Sequence, residues 1–130
     1  MKLSSLIILP LLLLSAPSFA QEQSEYERMY NKCIKAADGI NNSVVAECSG
    51  LTSEKAKSEI NQRYRTIHAR IFAENPKDAK KFEASQKAWL QYRDIHCDLS
   101  GAYIGTPMYG YCPMKLNSSR ALELRALDRG

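Results

Sequence analysis

SQKAWLQYRDIHC, residues 85–97, reads coherently as a helix. Wound that way, it puts Gln86, Trp89 and Arg93 on one face, in line with Phe82 before them and close to Cys97 after them. Trp89 is the only tryptophan in the chain, and a tryptophan at the centre of an apolar stripe belongs to a core. Gln86, one turn away, can satisfy a buried backbone group or the indole N–H. The stem of Arg93 can pack beside the ring while its planar head stacks on an aromatic face or grips a carboxylate. With Asp94 next to it, the set Gln86, Trp89, Arg93 and Asp94 reads as a structural clamp between helices and does not require a ligand.

Helical signals extend in both directions from this segment. Asn75-Pro76 supplies a cap and a first-turn proline for the helix that carries Ala79, Phe82, Gln86, Trp89, Arg93 and Cys97, and Asp78 sits near its positive end. The same two residues close the preceding helix, whose stripe of Ala56, Ile60, Tyr64, Ile67 and Ile71 is the strongest periodic signal in the chain. Thr52 or Ser53 is the expected cap of that helix. Before it, Asn41-Asn42-Ser43 opens a short helix with Val44, Val45 and Cys48 that Gly50 should end. A first helix begins at the capping box Ser24-Glu25-Tyr26-Glu27, carries Tyr26, Met29, Tyr30, Cys33 and Ala37, and stops at Asp38-Gly39.

Between Cys97 and Cys112 the composition changes to tyrosine, glycine and proline, and an ordered loop is expected there. Tyr103, Ile104, Met108, Tyr109 and Tyr111 are its candidate contact residues, because tyrosine offers large area with few rotors to freeze. An inward packing of the tyrosines that caps the bundle is an equal alternative. Asn117 or Ser118 should cap a last helix bearing Ala121, Leu122, Leu124 and Leu127. No strand-like alternation of useful length occurs. The expected fold class is all-α, a small disulfide-linked bundle of four to five helices with one ordered tyrosine-rich loop.

The N-terminal segment has the layout of a secretory signal peptide: Lys2, an apolar run from Leu6 to Leu14, and Ser18-Phe19-Ala20 before Gln21. Residues 1–20 are the expected leader and 21–130 a single helical domain. The apolar run is too short for a permanent span, and no cysteine near the cleavage point offers a lipid anchor. A periplasmic protein without a stable membrane anchor is the expectation. The remaining 110 residues hold 17 basic and 14 acidic side chains, a net charge of +3. Charges of both signs are interspersed, which gives no support to nucleic acid as a partner.

Cys33, Cys48, Cys97 and Cys112 form an even set in an exported chain and imply two disulfides. Of the three connectivities, the spacing favours Cys33 with Cys48 and Cys97 with Cys112. An unbroken helix would hold Cys33 and Cys48 about 22 Å apart, so the break at Gly39 is what lets them meet. No CxxC motif is present and His68 and His96 are the only histidines, so no metal site and no cofactor is expected. An oxidised Cys97 beside His96 has no thiolate to offer, and no serine-nucleophile or phosphate-loop motif occurs. The chain is not expected to be an enzyme.

The combination resembles the LprI-like family of small exported bacterial proteins named for a lysozyme inhibitor. The most specific part is Gln86-Lys87-Ala88-Trp89-Leu90-Gln91-Tyr92-Arg93-Asp94 followed by Cys97. Glu59-Ile60-Asn61-Gln62-Arg63-Tyr64, the segment Gly105 to Cys112, and Ser119-Arg120-Ala121-Leu122-Glu123-Leu124 match as well. The resemblance implies a protein partner, lysozyme or another peptidoglycan-active enzyme, blocked by occlusion of its cleft. Ser100-Gly101-Ala102-Tyr103 is also similar to the Ser-Gly-x-Tyr loop of other periplasmic lysozyme inhibitors. Asp94, Asp98 and Glu123 are acidic groups that can meet a basic cleft. The alternatives are an immunity or interaction protein for another envelope enzyme or toxin and, less well supported, a small envelope hydrolase.

Overall fold

A computed structural model of the chain describes residues 24–129. The proposed leader lies outside the described residues. Four helices follow one another: α1 (Glu25–Ala36), α2 (Asn42–Glu74), α3 (Pro76–Tyr103) and α4 (Met108–Asp128). Among the described residues there is no strand, and the all-α, disulfide-linked bundle expected from the sequence is what forms. Its core joins Tyr26 of α1 to Ala56, Ile60 and Ile67 of α2, Phe82 of α3, and Ala121 and Leu124 of α4. Tyr64, Ile71, Trp89 and Leu122 pack around this centre. Leu127, expected on the apolar stripe of the last helix, lies half-exposed beyond it.

Three of the expected breaks are present. The Ser24 hydroxyl accepts from the Glu27 N–H at 3.2 Å and the Glu27 carboxylate accepts from the Ser24 N–H at 3.2 Å, which closes the capping box. Gly39, with φ +99°, turns the chain after α1, and Asn41 Oδ1 accepts from the Val44 N–H at 3.0 Å to start α2. This reversal brings Cys33 and Cys48 together, Cα–Cα 5.6 Å, in the pairing the spacing favoured. Asn75 ends α2 and caps α3 through Oδ1, which accepts from the Lys77 N–H at 3.0 Å.

The break expected at Gly50 does not exist, and Thr52 and Ser53 cap nothing. α2 runs unbroken for 33 residues, about 50 Å at 1.5 Å per residue. Cys48, Ser49, Thr52, Ser53 and Ala56 are all buried in its interior. Small side chains there let α4 lie close, and Ser53 Oγ accepts from Asn117 Nδ2 at 2.7 Å. A single exposed glycine costs a helix only about 1 kcal/mol, which burial on both sides of it outweighs. Asn117 and Ser118, expected to cap the last helix, are likewise buried well inside α4. Ser118 Oγ donates to its own Met114 carbonyl at 2.7 Å.

The tyrosine-rich segment is also corrected. α3 continues through Tyr103 and α4 begins at Met108, so only Ile104–Pro107, residues 104–107, form the connection. The Cys97–Cys112 bond, Cα–Cα 5.4 Å, therefore joins two helices and does not staple the ends of a loop. The glycines that suggested a loop serve packing and one turn. A Cβ at Gly101 would fall 2.3 Å from the Tyr109 ring, and Gly105, with φ +151°, makes the corner.

Candidate functional site

The α3–α4 corner presents several large apolar side chains to solvent. The Ser100 carbonyl accepts from the Ile104 N–H at 3.0 Å and the Gly105 N–H at 3.3 Å, so α3 is terminated tightly. Met108 N–H donates to the Gly105 carbonyl at 2.9 Å and restarts the chain in the opposite direction. Tyr103 and Ile104 project from this turn, 85% and 73% exposed. Tyr109 lies across the α3 backbone at Gly101 and remains 51% exposed. Met108 is half-buried between them in sequence, at the start of α4. The Cys97–Cys112 bond braces both helices behind the tip.

Tyr111 faces elsewhere. Its ring meets Tyr30 of α1 edge-on, centroids 5.4 Å apart, and it lines a crevice of about 250 Å³ with Tyr30, Lys115 and Ser118. Burial, with Tyr111 nearby, pushes the Tyr30 hydroxyl above its ordinary pKa. Ser100 and Gly101 are buried in the last turns of α3 and present no Ser-Gly-x-Tyr loop.

A second exposed apolar feature escaped the sequence reading. Tyr92, Ile95 and Leu99 stand on the outer side of α3, each about half-exposed, and lead up to Tyr103. With Ala88, Gln91 and His96 they line a shallow groove of about 400 Å³. Tyr92 and His96 stack at 5.3 Å. The signal was available as the spacing 88, 92, 95, 99, 103, but it shares its helix with the Trp89 face and a single-stripe reading takes only one.

The residues read as a clamp sit on the opposite side of α3. Gln86 is buried, and its Oε1 accepts from both Nε and an Nη of Arg120 at 3.0 Å. The expected partners were a backbone group or the indole. Arg93 donates to Asn117 Oδ1 at 3.0 Å and to Asp94 Oδ1 at 2.6 Å. Its guanidinium carbon lies 5.3 Å from the Trp89 ring centre, and that of Arg120 lies 5.6 Å away. Two cations thus attend one indole. Arg120 belongs to the Ser119 to Leu124 segment, and nothing in its spacing discloses that it reaches Gln86.

A third arrangement was not foreseen as a cluster from the sequence. Glu59 of α2 accepts from Arg63 Nε at 2.6 Å and from Arg125 Nε at 2.9 Å, and the Tyr26 hydroxyl also donates to it. Arg125 reaches Glu25 at 2.5 Å and Arg63 reaches Asp128 at 2.7 Å. Arg125, followed by Tyr26 and Arg63, holds the Glu59 carboxyl down to about 2 against the opposing effect of burial. Burial and the same carboxylate drive the Tyr26 hydroxyl above its ordinary range. Only the i,i+4 spacing of Glu59 and Arg63 was visible beforehand.

Among the described residues no group of three or more His, Cys, Asp or Glu side chains is placed to hold a metal ion. No helix among them is long and apolar enough to cross a membrane. The arrangement is suited to recognition: an apolar tip on a braced corner, supported by polar networks that fix the helices. No curated protein and no solved structure matches the chain. The sequence model of the family described as lysozyme inhibitor LprI matches residues 33–124, from the first cysteine to the buried Leu124 of α4. That span is well over half of the chain and takes in all four cysteines and the Trp89 network, and the protein belongs to this family.

Proposed function

We propose that the protein is an exported inhibitor of lysozyme-type muramidases that acts by occlusion, with Tyr103, Ile104, Met108 and Tyr109 at the α3–α4 corner as its contact surface. The family match, whose description is of a lysozyme inhibitor, carries this reading. The geometry that supports it is a convex aromatic tip, which can enter a cleft shaped for a sugar chain. Tyr103 and Tyr109 bring large area with two side-chain rotors each, and the disulfide behind them keeps the ordering cost of binding low. Tyr111 acts from behind, filling the space against Tyr30. Inhibition of this kind needs no chemistry from the inhibitor.

Export supports the same reading. Residues 1–20 have the layout of a cleavable leader, and two disulfides with no free cysteine among the described residues fit an oxidising compartment such as the periplasm.

The test is a turbidity assay of cell-wall lysis by lysozyme with the oxidised protein titrated in. Competitive inhibition is expected, with KM raised and kcat unchanged. Changing Tyr103 and Tyr109 together to alanine should weaken inhibition by roughly 30-fold or more, the effect of losing about 2 kcal/mol of anchor contact. An absence of inhibition at large molar excess rejects the reading.

A further inference from the structure

The charges of the chain are segregated in a way that marks out the outer face of α3. Of 18 lysines and arginines, only Arg93 falls between Ala88 and Met114. Arg93 is itself turned to Asn117, Asp94 and the Trp89 ring, with its side chain 17% exposed. Lys87, next to Ala88 at one end of the groove, is exposed but paired with Glu83 at 2.8 Å, and the residues that line the groove with Tyr92, Ile95 and Leu99 include no lysine or arginine. Soluble proteins ordinarily interleave such cations with exposed apolar side chains, and an unguarded patch marks an interaction surface.

Beyond Lys87, the charged residues beside the patch are acidic. Asp98, exposed beside Leu99, has no ion pair or side-chain hydrogen bond among the described residues. Asp94 is bound through Oδ1 to Arg93 and keeps its carboxylate largely in solvent. On a chain that is basic as a whole, this is a local apolar groove with a negative rim. A second copy of the chain would set one acidic rim against another, which charge disfavours.

We propose that the outer face of α3, with Tyr92, Ile95 and Leu99 as its floor and Asp98 at its rim, is a second contact surface that takes a basic protein. The occupant presents an apolar side chain ringed by lysine or arginine. The inference rests on the muramidase reading and narrows it. The corner blocks the cleft, and the α3 face selects muramidases with a basic surface over acidic ones.

The experiment uses the full oxidised protein and a basic c-type lysozyme as the probe, following both binding and inhibition. Leu99→Lys should raise Kd roughly 30-fold, as loss of a central apolar contact does. Asp98→Lys should slow association several-fold at low salt, with the difference shrinking at high ionic strength as screening shortens the reach of the charge. Both positions are exposed, and unchanged thermal melting checks that the variants fold. If wild type inhibits and both variants inhibit equally well, the α3 surface is wrong while the corner reading stands. If wild type neither binds nor inhibits, the muramidase reading fails and takes this inference with it. If wild type sediments as a dimer that Leu99→Lys dissociates, the occupant is a second copy and the proposal is overturned.

Discussion

Arg120 is the side chain on which the Trp89 neighbourhood depends. It supplies both hydrogen bonds to the buried Gln86 oxygen and one of the two cations beside the indole. Arg120→Ala leaves that oxygen without a donor, and the expected cost is about 2–3 kcal/mol. Arg93→Ala strands Asn117 Oδ1 in the same way. Both variants should melt at lower temperature while inhibiting lysozyme like the parent wherever they remain folded. A calorimetric scan beside the lysis assay separates the two effects, and a variant that melts like the parent contradicts a structural role. The sequence showed that Gln86, Trp89 and Arg93 share a face because one helix sets their spacing. It could not show Arg120 reaching Gln86, since 34 residues separate them and only the packing of α3 against α4 brings them together.

Glu59 gives the fold a dependence on acid. Its carboxyl titrates near 2 in the folded chain, below the ordinary value of 4.5. A depressed folded value means that the stabilisation is complete above 4.5 and is lost as pH falls from there toward 2. The shift corresponds to at most about 3 kcal/mol. Thermal melting at pH 7 and pH 3 should show a large fall for the parent and a smaller one for Glu59→Gln, which carries no titrating group at that position. Equal falls would assign the acid sensitivity to other carboxylates.

At the scale of the helices, the corner depends on the absence of a side chain at Gly101. A methyl group there would fall 2.3 Å from the Tyr109 ring, so the ring must swing away. Alanine also favours the helix by about 1 kcal/mol, which offsets part of the clash. Gly101→Ala is therefore expected to change the melting temperature little and to weaken inhibition about as much as Tyr109→Ala does. A Gly101→Ala protein with full inhibition would show that the placement of Tyr109 is immaterial.

The same glycine explains why the connection was misjudged. In sequence, Gly101, Gly105 and Gly110 look alike. In space one accommodates a ring, one turns the chain with positive φ, and one lies 3.6 Å from α2 at the position its missing Cβ would take. Thr52 and Ser53 misled for a related reason. Small polar residues that cap helices also let helices approach, and local sequence does not distinguish these uses. Asn41 and Asn75 were legible because a cap is a local event, decided within three residues.

For the molecule as a whole, two covalent links divide the labour. Cys33–Cys48 fastens α1 to α2, and Cys97–Cys112 fastens α3 to α4. Cys33 is partly exposed, whereas Cys97 and Cys112 are both buried. Thiol attack needs access, so mild reduction under native conditions should open Cys33–Cys48 first. Alkylation followed by mass spectrometry is expected to find Cys33 and Cys48 labelled before Cys97 and Cys112, while inhibition persists. Each link, closing a span of 15 residues, contributes about 3 kcal/mol in the chain-entropy picture. The overall architecture was readable because the even cysteine count, the proline-marked break and the α2 stripe are all one-dimensional signals. The outer α3 face was not, since it becomes a surface only when the opposite side of the same helix has been committed to the core.

The second link has a further consequence wherever the chain meets a protease. The bond lies behind the turn at residues 104–107, where Ile104 is largely exposed. A protease that nicked this turn would leave both fragments tethered to each other across the sulfurs. Such damage would stay invisible on an ordinary denaturing gel and appear as two bands only after a reductant was added.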